Sequence, residues 1–526
     1  MKNLFQQLED SFNVSHPLNP KASPLHFKLA DNLKEIRRTL GDVNDLLVRE
    51  LEVKGADGIR VAVLGIDGLI NTELAQQFIV RVMAIDMSMV AEASSKKHED
   101  VFQAIYGSRI SMMDASTGKT FEDLYTNLLN GHVLVLIDEV KELMIFDCKG
   151  WQMRSISEPN VEKSLRGPKD CFVETIRINT ATLRRRIRDP RLRFDTHVIG
   201  RVSKTDVFVA YIEGITDEKY VQIANHRLEN LDIDGIQNAA QLMQYIEDKH
   251  ITIIPRLFET ERPDKVASGL MEGQIAIFVD GSPFVVLAPS YFTGAFQSVD
   301  DYYNQPLFAS LKRFMRYACY FLVILAPAFY IAASTFHQEM IPTAFLIIMM
   351  NQRESNPFST FFEMFLIILL FEIMREASLR KPDAIGNSMS IVGSLIIGQS
   401  LVEAGVVSYA AIIIGSITTL ATYVLAHTRI SESNRILTLA FMIIGGWLGF
   451  YGLTVGFIVL IIHICSLTTF QEPFLMTAAP FKLVGQKDQL VRMPFNWMKY
   501  RPGSFRSANR VRQNLTDQME DKSHEG

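Results

Sequence analysis

Two glutamates stand inside long apolar stretches of this 526-residue chain. Glu403 is the single formal charge in the 44 residues from Ile385 to Thr428, and Glu363 is the single one from Phe358 to Phe371. A carboxylate is costly in hydrocarbon, so such residues face a bundle interior or a water-filled path and mark ion or proton routes. Gln399 lies one turn before Glu403, and Ser400 lies between them. Together these side chains suit the polar lining of an ion pathway. The competing reading is a helix-packing face with Glu403 at the wet end of a span. Gly386, Ser390, Ser394 and Gly398 recur every fourth residue on the same segment. Such a stripe lets helices approach closely. Glu372, Arg375, Glu376 and Arg380 follow at helical spacing and read as an interfacial ion-pair network. His463 stands alone on an apolar face, where a packed, hydrogen-bonded imidazole competes with a proton relay.

Enzymatic constellations are missing. There is no HExxH, GxSxG or GxGxxG in a strand–helix context. Gly118-Lys119-Thr120 echoes the end of a phosphate-binding loop, but the first glycine of that motif would fall at Met113. Cys148, Cys171, Cys319 and Cys465 form no CxxC pair. Free thiols in a reducing compartment are expected. No catalytic residue, cofactor or metal site is expected, and the chain reads as a non-enzyme. The net charge of −5 provides no global basic field for nucleic acid.

The elements that must position the acidic residues are apolar spans. A helix needs roughly 20 apolar residues to cross the hydrocarbon. Tyr317 to Phe336 carries no formal charge and fits one span. Phe358 to Phe371 continues into a helical EIMREA. Ile385 to Thr428 is too long for one crossing, and Gly405 marks a break between two. Ile436 to Leu467 is 32 uncharged residues, about 48 Å as a helix. Glycines 445, 446, 449 and 452 sit mid-segment, so one tilted helix or a tight hairpin both fit. Ile341 to Met350 is too brief to span and reads as re-entrant or interfacial.

Basic residues orient these segments. Lys312, Arg313 and Arg316 precede the first span; Arg375, Arg380 and Lys381 follow the second; Arg429 and Arg435 follow the fourth. From Phe481 to Arg512 there are eight Lys/Arg against one acid, Asp488. Placing all four clusters in the cytoplasm requires the last apolar stretch to cross twice. Six crossings follow, with five as the alternative. The N-terminus has no apolar core of signal-peptide length, so the first half is expected to stay cytoplasmic.

That first half reads as α/β. Residues 1–25 are a polar arm with Pro17, Pro20 and Pro24. Leu29 to Leu40 has helical spacing, and a second helical piece is expected through Leu46, Leu47 and Leu51. A weak duplication follows. VAVLGIDGLINTEL (61–74) and VFVAYIEGITDEKY (207–220) each read as a buried strand, an acid, a glycine and a polar helix start. Asn71 and Asp217 suit helix N-caps. Asp138 and Asp280 each follow a strand and open a hairpin. Two related subdomains follow, at roughly 55–155 and 200–290. They are joined by an Arg-rich helical stretch whose basic face is either solvated and ion-paired or docked on an acidic partner or anionic headgroups. The expected division is an arm at 1–25, a first α/β subdomain at 26–160 and a second at 161–310. A transmembrane domain spans 311–480, and a basic tail follows at 481–526.

Several stretches resemble one family, the A subunits of GerA-type spore germinant receptors. They are SLRGPKDCFVETIRINTATLRRRIRDPRL (164–192), SVDDYY (298–303), PAFYIAASTFHQEMIPT (327–343) and FEIMREASLRKPDAIGNSMSIVGSLIIGQSLVEAGVVS (371–408). The similarity covers about residues 40–480. Lys381-Pro382-Asp383 and Ser400-Leu401 depart from the family pattern. The resemblance implies an α/β soluble region followed by a multi-span helical domain in the spore inner membrane, with the N-terminal region on the core side. It implies a transporter-like B subunit and a lipoprotein C subunit as partners, contact with membrane lipid, and no nucleic acid. It implies a homo-oligomer, with a pentamer as the expected form, that acts as a nutrient-gated cation channel. The SpoVAF-type relatives share the same block, so an accessory germination channel protein or a non-conducting signalling scaffold stands as the alternative.

Overall fold

The computed structural model describes residues 23–41, 43–53, 59–84, 97–107, 115–150, 159, 161–248, 251–353, 356–379, 399–476, 478–479, 486–501, 505, 507 and 509–513. The chain divides into two units. One comprises residues 1–247, 259–289 and 495–526; the other comprises 248–258 and 290–494.

The first unit is built from two copies of one α/β pattern. The first copy runs α1 (Leu29–Leu40), β1 (Leu46–Glu52), β2 (Arg60–Ile66), α2 (Thr72–Ala84), α3 (Lys97–Gly107), β3 (Ala115–Gly118), α4 (Phe121–Leu129), β4 (Val133–Ile137) and β5 (Leu143–Phe146). The second runs α5 (Ile176–Arg186), β6 (Leu192–Ile199), β7 (Thr205–Ile212), α6 (Glu218–Glu229), α7 (Ala239–Ile246), β8 (Phe258–Thr260), α8 (Pro263–Glu272), β9 (Ile275–Val279) and β10 (Val285–Ala288). The sheets have strand orders β1-β2-β4-β5-β3 and β6-β7-β9-β10-β8. These are the same order shifted by five strands.

The correspondence extends to individual hydrogen bonds. Neither α1 nor α5 is capped by its own preceding side chain. Instead Leu29 N–H donates to Asp138 Oδ1 at 2.9 Å, and Ile176 N–H donates to Asp280 Oδ1 at 3.1 Å. An orphan amide at each helix start is satisfied from the far end of the repeat. Buried Asn32 clips His26 through both amide groups, and buried Asn179 clips Val173 in the same way. Gly68 and Gly214 close the turns after β2 and β7 at φ +79° and +78°, where a side chain is disfavoured. The stretch expected to join the subdomains is therefore the opening helix of the second one.

Two local expectations change. The piece through Leu46, Leu47 and Leu51 is a strand, not a helix. Its register with β2 runs from Leu46↔Ile66 to Glu52↔Arg60, so cross-strand pairing overrides a spacing that also fits a helix. The Gly118-Lys119-Thr120 turn holds a capping box instead of a phosphate loop. Thr120 accepts from Asp123 N–H, and the Asp123 carboxylate accepts from Thr120 N–H.

Five arginines in and around α5 are ion-paired within this unit. Arg184 is fully buried and meets Asp45 with two guanidinium nitrogens. Arg177 pairs with Asp67, Arg186 with Asp170, Arg191 with Asp189 and Arg193 with Glu213.

The second unit is helical. It contains α9 (Asp300–Tyr303), α10 (Pro306–Thr335), α11 (Thr343–Arg353), α12 (Thr360–Leu379), α13 (Leu401–Glu403), α14 (Tyr409–Val424) and α15 (Thr428–Ser466). A short ribbon, β11 (Thr468–Thr469) with β12 (Glu472–Pro473), follows. Among the described residues, α10 and α15 are long and apolar enough to cross a membrane; α11 and α14 are apolar but shorter. Residues 385–398 of the predicted third span lie outside the described residues.

The helix α15 is not straight. Gly449 has φ 58° and ψ −146°, which breaks it into legs at 428–448 and 450–466. A Cβ placed on Gly456 would lie 3.4 Å from the Phe441 ring. Along a straight helix those residues would stand about 22 Å apart. The legs therefore double back on one another. Small residues let the first leg meet α10 closely: a Cβ on Gly445 would lie 2.9 Å from the Ala328 carbonyl oxygen. Thr438 Oγ1 donates to the Val323 carbonyl at 2.9 Å.

Candidate functional site

The helical unit holds a buried acid whose donors, among the described residues, are neutral. Glu363 sits in the first turn of α12 and is 1% exposed. Asn356 Nδ2 donates to its Oε1 at 2.9 Å, and Ser408 Oγ donates to its Oε2 at 3.0 Å. Ser408 is also the N-cap of α14, accepting from Ala411 N–H. The Tyr330 hydroxyl on α10 lies 3.3 Å from Ser408 Oγ. Three helices thus converge on one carboxylate, and the N-terminal amides of α14 supply part of the compensating positive potential.

Tyr330 also forms part of an open groove of about 580 Å³, whose other walls include Phe321, Phe329, Met340, Phe345 and Met349. The groove is otherwise apolar. Its tyrosine connects it through Ser408 to the buried acid.

The other predicted site residues lie elsewhere. Gln399, Ser400 and Glu403 are exposed, whereas Glu363 is buried. Gly405, with φ +67°, turns the chain between α13 and the segment leading to α14. Glu372 accepts from Arg375 and, at 2.7 Å, from Arg435 at the foot of α15. Arg435 was not in the predicted network. Glu376 lies one turn further along α12. Arg380, Gly386, Ser390, Ser394 and Gly398 lie outside the described residues. His463 is hydrogen-bonded, with Nε2 2.9 Å from Thr252 Oγ1. Among the described residues, no group of three or more His, Cys, Asp or Glu is placed to hold a metal ion.

A second buried cluster was invisible to sequence reasoning. Asp301, within SVDDYY, is fully buried and accepts from Arg313 Nε at 2.9 Å and from two Arg316 nitrogens at 2.8 Å each. Arg313 also reaches Asp488 Oδ1 at 3.1 Å, and the Tyr302 hydroxyl donates to Asp488 Oδ2 at 3.0 Å. Burial pushes the Asp301 carboxyl up, but Arg316 and Arg313 outweigh it and hold it below the ordinary carboxylate range. Two of the three basic residues used to orient the first span are thus internal ion-pair partners. The signal available in the sequence was the SVDDYY motif itself.

The fold and site define a two-part protein: a duplicated α/β region carrying a bundle of apolar helices around a buried acid. The family described as Bacillus/Clostridium GerA spore germination protein matches residues 34–504. Spore germination protein KA of Bacillus subtilis (strain 168) is 37% identical over 498 residues, covering 95% of this chain and 90% of that protein. Stage V sporulation protein AF of the same organism is 30% identical, covering 90% of this chain and 94% of that protein. The crystal structure of the N-terminal domain of the A subunit of the Bacillus megaterium spore germinant receptor GerK3 is 30% identical. It covers 52% of this chain and 98% of that domain, with a TM-score of 0.40. The chain belongs to the GerA family of spore germination proteins.

Proposed function

We propose that this chain is the A subunit of a spore germinant receptor and forms, as a homo-oligomer, a nutrient-gated cation channel in the spore inner membrane. The observation that carries the receptor reading is continuous similarity through both regions, with spore germination protein KA matched over 95% of this chain. The conducting role is supported by Glu363, a buried carboxylate without a basic partner among the described residues. Such groups in apolar helices mark ion routes. The helical region crosses the bilayer several times, and the α15 hairpin supplies two of those crossings. The duplicated α/β region faces the core, and B and C subunits complete the receptor.

The test is cation release from spores exposed to nutrient. Deleting the chain abolishes the nutrient response. Replacing Glu363 with Gln preserves the fold and slows release of monovalent cations. Unchanged release in Glu363→Gln and Glu403→Ala spores would remove both residues from the pathway. A purified chain that stays monomeric with its partners present would favour a scaffold over a channel.

A second reading has its own support, because stage V sporulation protein AF is matched over 94% of its length. In that reading the chain is an accessory germination protein. Gene neighbours distinguish the two: adjacent genes for B and C subunits mark the receptor.

A further inference from the structure

The two legs of the α15 hairpin are held at their open end by a segment that the second α/β repeat sends out. After α7 the chain leaves the first unit at Glu247, contributes 248–258 to the helical unit, and returns at Glu259. On the way it touches both legs. Ser433 Oγ, on the first leg, donates to the Ile253 carbonyl at 2.7 Å. Thr252 Oγ1 meets His463 Nε2, on the second leg, at 2.9 Å. The Phe258 ring stacks on His427, the residue before the first leg, with centroids 4.8 Å apart. Just beyond the second leg, Thr468 Oγ1 donates to Asp248 Oδ2 at 2.7 Å and Thr469 Oγ1 to the Arg256 carbonyl at 3.4 Å. Ile254 is buried in the core of the helical unit.

Elsewhere the legs are held by apolar packing: Phe441, Leu453, Leu460 and Ile464 lie in one buried core, and Phe457 meets Phe321 of α10. The apex of the hairpin is Gly449, and Gly445, Gly446, Gly452 and Gly456 surround it. The contacts between legs at Phe441, Ile444 and Gly456 are apolar. Apolar contact between helices carries no hydrophobic driving force in lipid, so polar bonds at the open end count for more.

We propose that Asp248 and residues 251–258 are a clamp that sets the spacing of the two legs, and that the second α/β repeat acts on the helical region through it. This accounts for His463 as a positioning residue, an anchor for the second leg. The clamp stands on contacts inside one unit. It therefore holds whether or not the chain conducts ions.

The test uses the full-length chain in detergent micelles, followed by hydrogen exchange of peptides from 428–440 and 456–466, with a β7 peptide as internal reference. Losing one neutral hydrogen bond speeds local opening by about 2- to 10-fold. Thr252→Val is expected to speed exchange in the second leg and Ser433→Ala in the first. The double variant speeds both by more than either alone, and Thr252→Ser restores the second leg. The β7 peptide stays unchanged. Unaltered exchange in both legs, or a change confined to 251–256, overturns the clamp. Spores carrying the double variant are expected to need more nutrient for the same rate of germination. A wild-type response beside altered exchange overturns the coupling. Spores in which deletion of the whole chain has no effect reject the receptor reading, and the exchange result still decides the clamp.

Discussion

Asp301 and Glu363 are both buried carboxylates of the helical unit, and their surroundings differ in kind. Asp301 lies between two guanidinium groups, with Asp488 balancing one of them. Glu363 has an amide and a hydroxyl. A charge removed from water needs a partner of opposite sign or its burial stays expensive. The first site is electrically closed and behaves as a structural knot. The second has no basic partner among the described residues, and under the proposed channel role it is the group a passing cation would meet.

Removing the charge of Asp301 is expected to have the largest effect. Asp301→Asn leaves Arg313 and Arg316 buried against a neutral group and is expected to cost about 3–5 kcal/mol. Thermal unfolding of the full chain in micelles measures this, and a loss below about 1 kcal/mol would break the distinction. The same site has a pH signature. Its folded pKa lies below the ordinary aspartate value of about 3.9. Its stabilisation is therefore complete above that pH and is lost as pH falls through the lowered folded value. Stability measured across pH 2–5 is expected to decline in wild type and to flatten in Asp301→Asn.

Ser408→Ala is expected to come next. It removes a donor from a buried carboxylate and the cap from α14 together, costing about 1–3 kcal/mol. Glu363→Gln is expected to be smallest in stability, within about 1 kcal/mol, because Ser408 and Asn356 can still bond to the side-chain amide. Under the proposed channel role its effect is expected in cation release. A large loss of stability with normal release would make Glu363 a structural residue like Asp301.

These two sites were not equally legible in the sequence. Glu363 stood out as a lone charge in an apolar run, which one line of sequence reveals. Its main partner is 45 positions away, at a helix start defined only once α12 and α14 pack. Asp301 stood only within the SVDDYY stretch, and Arg313 counted as one of the basic residues orienting the first span; folding of the tail brings Asp488 to Arg313 from 175 positions away. The duplicated region was readable where local pattern carries it, in the strand–acid–glycine runs at 61–74 and 207–220. It was misread at Leu46–Leu51, where leucine spacing fits helix and strand alike and register with β2 decides. The Arg-rich stretch was read as a joint because it lies between the two recognisable patterns at 55–155 and 200–290. Its role appeared when Asn179 and Asp280 matched Asn32 and Asp138.

That match also bears on the order in which the chain is made. The opening helix of each repeat waits for an aspartate 109 or 104 positions later to satisfy its first amide. During synthesis the helix emerges long before its cap, and contacts of such separation close slowly. Each repeat is thus sealed by its own last hairpin, and a nascent chain halted before Asp138 exposes a helix whose start has no lid. Truncations are best placed after a completed seal, beyond Phe146 or Ala288.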